Sequence, residues 1–117
     1  MHRFAKLEVY KKALIFTKKV YKFSNSLPKE EQFGLISQLR RATASVVLNI
    51  AEGAGSGFNP EFKRFLKMSL RSAYEVSSIF DIIEVLNYSD QKTLDDLKKD
   101  LDEISAMVAG LIKPLKV

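Results

Sequence analysis

The sequence predicts an all-α fold, an antiparallel up-down four-helix bundle forming a single domain over residues 1–117. Apolar residues recur at three- and four-residue steps through four stretches of roughly 20 residues, each about 30 Å long as a helix. No run alternates apolar and polar residues between hairpin turns, so strands are not expected. Start signals at Pro28, at Asn59-Pro60 and at Ser89-Asp90 leave short connections, which fold neighbouring helices back on one another. The expected helices are about 7–26, 28–52, 60–87 and 90–113.

In the first stretch Tyr10, Ala13, Leu14, Thr17, Val20, Tyr21 and Ser24 share one side. Lys11, Lys12, Lys18, Lys19 and Lys22 cover the other over an arc of roughly 120°. Phosphate contact and a simply solvated lysine face both fit that arc. The second helix is expected from Pro28, a residue suited to a first turn, with Glu30 and Glu31 following.

Leu35 to Gly53 carries two stripes. Leu35, Leu39, Ala42, Val46 and Ile50 stack on one face, and Gln38, Arg41, Ser45, Asn49 and Glu52 run beside them. Solvated faces are usually Lys and Glu, so short Ser and Asn side chains predict a hydrogen-bonded, half-buried seam. Its role is to fix helix register or a subunit contact, because a satisfied polar network specifies one arrangement. The other reading is a polar flank left in water. Gly53-Ala54-Gly55-Ser56-Gly57 then reads as a flexible connection. A phosphate-cradling loop would need a preceding strand or a Lys followed by Ser or Thr, and neither is present.

Asn59-Pro60-Glu61 opens the third helix, with Asn as N-cap, Pro at N1 and an acid in the first turn. Phe62, Phe65, Leu66, Ser69, Ala73, Val76, Phe80 and Ile83 form its core face. Lys63, Arg64, Lys67 and Arg71 cluster on the other side within three turns, and Leu70, Tyr74 and Val85 add apolar area that hints at a partner surface. Ser89-Asp90 caps the last helix, whose Leu94, Leu97, Leu101, Ile104, Val108, Leu111 and Leu115 repeat in a near-heptad. Its outer face holds Asp95, Asp96, Asp102 and Glu103, and Pro114 discourages continuation.

Composition narrows the function. Hydrophobic residues make up 46% and charged residues 28%, enough for one core and too apolar for disorder. No stretch is long and apolar enough to span a bilayer, and no apolar signal region is visible, so a cytoplasmic protein is expected. The absence of cysteine excludes disulfides, thiolate catalysis and thiolate zinc sites. Residues 1–71 hold 14 Lys/Arg against 5 Asp/Glu, a balance of +9, whereas residues 72–117 balance to −4. That polarity fits a basic surface for an anionic partner, complementary subunit faces, or basic and acidic helices paired within one bundle.

The motifs Leu7-Glu8-Val9-Tyr10 with Ala13, Leu27-Pro28-Lys29-Glu30-Glu31 and Gln38-Leu39-Arg40-Arg41-Ala42 resemble a known bacterial family. So do Ser45-Val46, Asn49-Ile50-Ala51-Glu52-Gly53, and the later Phe62, Phe65-Leu66, Ser72 and Glu75. These are the four-helix-bundle proteins encoded in 23S rRNA intervening sequences, related to the accessory protein of diversity-generating retroelements. The likeness covers about residues 4–113. It implies a homo-oligomer, a pentamer in that family, and nucleic-acid binding through basic surfaces without known catalysis. Arg71 and Ala73 depart from the family pattern, and Arg71 extends the basic cluster.

The leading expectation is a non-enzymatic, oligomeric nucleic-acid-binding protein without a cofactor or metal. Lys11, Lys18, Lys22, Arg40, Lys63, Arg64, Lys67 and Arg71 are the candidates for phosphate contact, and rRNA or duplex or otherwise structured nucleic acid is the expected target. The alternative is a structural assembly module docking a protein partner such as a reverse transcriptase. An enzyme is the weakest reading, since His2 stands alone near the terminus and the Glu-x-x-His pairs of ferritin-like bundles are absent. Glu52 and Glu75 are therefore expected to hold arginines, with Arg40 or Arg41 as nearest partner, and Arg71 is placed one turn from Glu75.

Overall fold

Four helices, α1 (Glu8–Ser24), α2 (Leu35–Gly55), α3 (Asn59–Val85) and α4 (Gln91–Ile112), make up a computed structural model that describes residues 7–115. No strand occurs among the described residues. The 27 residues of α3 span about 40 Å at helical rise, nearly the full long axis of a body measuring 43 × 22 × 20 Å. Each helix packs on the next in sequence, and α4 returns to α1 to close a four-helix bundle. His2 lies outside the described residues.

The core runs the length of that ring. Leu39 and Ile50 of α2, Leu66, Phe80 and Ile83 of α3, and Leu94 and Ile104 of α4 are among its fully buried side chains. Phe80 reaches across the ring to Phe16 and Phe23 of α1, each with ring centroids 6.4 Å away and planes near perpendicular. That edge-to-face geometry suits aromatic quadrupoles. It also decides which side of α1 is inside. Val9, Ala13, Phe16, Val20 and Phe23 are buried, whereas Leu14 and Tyr21, expected on the core side, are exposed. The buried face is thus rotated from the expected one, because two phenylalanines outweigh the tyrosines as core residues.

The second helix differs most from expectation. Pro28 leads into a single 3-10 turn, Lys29–Glu31, and α2 starts only at Leu35. Leu27 is buried and anchors this connection, and Glu31 accepts a hydrogen bond from the Tyr88 hydroxyl at 3.0 Å. At its other end α2 continues through Gly53 to Gly55, past the expected stop at Glu52. Position 53 holds a glycine because α3 comes too close for anything larger. A Cβ there would stand 2.8 Å from Phe65 Cβ and 3.2 Å from the Phe62 carbonyl oxygen. Gly57 alone of this glycine run takes a left-handed φ, +67°, and turns the chain into α3.

The ends of α3 and α4 follow local chemistry. Phe58 is the N-cap of α3 and makes no side-chain cap bond, so Asn59 is already the first helical residue and Pro60 the second. Asn87 adopts φ +56°. Its N–H bonds the Glu84 carbonyl, and Tyr88 N–H bonds that of Ile83, both at 3.1 Å, a Schellman ending with Asn at the left-handed position. Asp90 caps α4 by accepting from Thr93 N–H at 2.9 Å.

Candidate nucleic-acid interface

The bundle sorts its cations into paired and unpaired sets. On α1, Lys12 reaches Glu103 at 2.7 Å and Lys19 reaches Asp100 at 3.0 Å, both on α4. The Glu103 bond raises the Lys12 pKa above its ordinary value. Lys11 pairs with Glu8 at 3.4 Å. Lys18 and Lys22 are exposed and make no ion pair among the described residues. Part of the basic balance of the first half is therefore spent on the acidic last helix.

Arg40 is structural. Its Nε donates to Ser24 Oγ at 2.8 Å and its terminal nitrogen to Asn25 Oδ1 at 2.9 Å, while the guanidinium lies 5.1 Å from the Tyr21 ring centroid. Ser24 Oγ donates in turn to the Tyr21 carbonyl. A basic side chain at the last carbonyls of a helix is well placed.

On α3 the four expected cations divide. Arg64 forms a two-pronged bond with Glu61, Nε and the terminal nitrogen each 3.0 Å from a carboxylate oxygen, and lies 4.4 Å from the Phe65 ring centroid. The guanidinium holds the Glu61 carboxyl below its usual range. Half-buried Lys63 and exposed Lys67 and Arg71 have no ion-pair partner among the described residues. Steps of four residues place these three on successive turns of one side. Lys98 of α4 is clasped by Asp81 and Glu84 of α3, so these two acids are engaged away from the cation stripe.

The polar stripe of α2 also divides. Ser45 Oγ accepts from Asn49 Nδ2 at 3.0 Å and from Ser72 Oγ at 2.9 Å, and Asn49 donates as well to the Ser45 carbonyl at 2.9 Å. One turn deeper, buried Ser69 donates to the Val46 carbonyl at 2.8 Å. This is the expected half-buried seam, and it ties α2 to α3. Gln38, Arg41, Glu52 and Glu75 stand outside it, exposed. Glu52 and Glu75 hold no arginine: neither makes an ion pair among the described residues, and the Arg71–Glu75 pair does not form. Helical spacing gave the face of these residues but not the distance across the groove. Ser69 and Ser72, the α3 side of the seam, went unrecognised as its partners; two small hydroxyls three residues apart along a core edge were the available signal.

The outer side of α2 and α3 also shows Leu48, Met68, Ile82 and Leu86, all exposed. No group of carboxylates or histidine able to hold a metal exists among the described residues, and no helix is long and apolar enough to cross a membrane.

Residues 5–110 match the model of the 23S rRNA-intervening sequence protein family. A crystal structure of a protein of unknown function from the S23 ribosomal protein family, from Bacteroides thetaiotaomicron, has the same fold with a TM-score of 0.83. It is 23% identical, and the match covers 90% of this chain and 95% of that one. No match was found among curated proteins.

Proposed function

The chain belongs to the 23S rRNA-intervening sequence protein family, and from that premise we propose that it is a non-enzymatic, cytoplasmic, nucleic-acid-binding protein. Its helices alternate in direction and it assembles as a homo-oligomer, a pentamer by resemblance. In support of the alternation, Glu31 of the first connection and Tyr88 of the third meet at 3.0 Å. Contacts between α2 and α3 also descend on one as they climb the other, Gly53 with Phe65, Val46 with Ser69, Ser45 with Ser72.

One observation carries the binding reading: Lys63, Lys67 and Arg71 lie on successive turns of α3 with no acid paired to them among the described residues. Lys18 and Lys22 add a second free cationic strip on α1. Contacts of this kind go to phosphates of rRNA or other structured nucleic acid, giving affinity that falls steeply with salt and depends weakly on sequence. Filter binding of rRNA fragments and duplex DNA at about 50 and 200 mM salt tests it. The wild type should bind at the lower salt and lose most of its affinity at the higher. The Lys63→Glu/Lys67→Glu/Arg71→Glu variant should be defective with its oligomer intact. No binding at the lower salt overturns the reading.

Exposed Leu48, Ile82 and Leu86 favour a second role, docking another protein or another copy of the chain. If the charge-reversed variant loses assembly while nucleic-acid retention is unchanged, that role takes precedence.

A further inference from the structure

We propose that Tyr74 is a stacking platform for an unpaired base of RNA, placed at the end of the α3 cation track. This rests on the nucleic-acid reading above and sharpens its target from structured RNA in general to a loop or bulge.

Helical steps put Lys63, Lys67 and Tyr74 nearly in line along α3, with Arg71 beside them, all turned away from buried Leu66, Ser69, Ala73 and Val76. The ring is 60% exposed. Among the described residues it has no ring neighbour, no cation over its face and no hydrogen bond to its hydroxyl. Three other aromatic side chains outside the core are already engaged. Arg40 covers Tyr21 and Arg64 covers Phe65, and the Tyr88 hydroxyl is held by Glu31. A phosphate track needs no aromatic ring, and a polar residue would keep this surface better hydrated. A tyrosine offers a rigid π face with an amphipathic rim, and every base has a matching face.

A continuous duplex hides those base faces, whereas loops and bulges splay them out. The charges agree with a short footprint. Arg71 precedes Tyr74 by about 4.5 Å and Lys67 by about 10 Å along the axis, so phosphates flanking a stacked base meet cations on the N-terminal side. Beyond the tyrosine α3 carries no Lys or Arg, and its Asp81 and Glu84 are paired with Lys98, so the cation track stops there.

Fluorescence anisotropy at about 50 mM salt, with an RNA hairpin and a blunt RNA duplex of equal nucleotide count, separates the possibilities. The wild type should prefer the hairpin. Tyr74→Leu should weaken hairpin binding about tenfold and leave duplex binding unchanged, and Tyr74→Phe should behave as the wild type. Hairpin affinity within twofold of the wild type for Tyr74→Leu overturns the platform. If Lys63→Glu/Lys67→Glu/Arg71→Glu binds both RNAs normally, the phosphate reading itself fails. If that variant is defective and Tyr74→Leu is silent, only the platform is lost.

Discussion

The Cβ of Phe65 lies 2.8 Å from the point where a side chain on Gly53 would begin. The neighbours at that point are a Cβ and a backbone carbonyl, neither of which swings aside as a flexible side-chain tip does. Gly53→Ala should therefore lower stability by about 1–3 kcal/mol through overpacking, although alanine is the better helix former. Gly110, in the interior of α4, has nothing among the described residues within 4 Å of its would-be Cβ. Gly110→Ala should raise stability by about 0.5–1 kcal/mol. Urea titrations of the two variants should move in opposite directions, and equal shifts would contradict the close approach.

Thr43 is fully buried on α2, and its hydroxyl has no hydrogen-bond partner among the described residues. Such a group loses its hydration and regains nothing. Thr43→Val keeps the shape and removes the hydroxyl, so a gain of about 1 kcal/mol is expected. A loss measured by thermal melting would mean that the oxygen has a partner in solution.

Asn49 and Ser72 converge on the Ser45 hydroxyl. Asn49→Leu should retain helicity by circular dichroism, lose about 1 kcal/mol of stability, and loosen the proposed oligomer on light scattering. Unchanged melting together with unchanged particle size would remove any role for the seam in specifying the assembly.

The acid limb of stability should reflect Asp90. The backbone bond from Thr93 holds its carboxyl below the ordinary value, so the unfolded chain takes up the proton first, near pH 4. The contribution is complete above that pH, shrinks as pH falls through it, and vanishes below the folded value. Glu61, held down by Arg64, acts with the same sign. Asp90→Ala should lower the Tm more at pH 7 than at pH 2, because the protonated carboxyl keeps only the neutral part of the cap bond. Asp90→Asn, also a good cap, should retain more of the Tm at pH 7 and flatten the acid limb. An Asp90→Ala difference independent of pH would remove charge from the cap.

How far the sequence revealed this molecule depended on whether a signal was local. Asp90 was legible as a cap because its partner is three residues away. The expected start of α3 is one residue late, with Asn59 as its cap, because Phe58 takes the cap position without a side-chain bond. Gly53 misleads because a glycine run says turn locally, whereas this glycine serves the close approach of Phe62 and Phe65 within a helix. The core phase of α1 was misjudged for a similar reason, since Phe80 on another helix sets it. At the candidate interface, periodicity found the cation stripe but not its accounting. Only the fold reveals that Arg64 is neutralised by Glu61, that Arg40 serves α1, and that Glu52 and Glu75 are left without arginines.

Arg40 has one further effect, on how the bundle comes apart. Its guanidinium bonds Ser24 and Asn25 and lies against Tyr21, so the last turn of α1 cannot fray while the second turn of α2 stays in place. Those two turns form a single opening unit. In native-state hydrogen exchange their amides should surrender protection together, and shortening Arg40 to alanine should uncouple them.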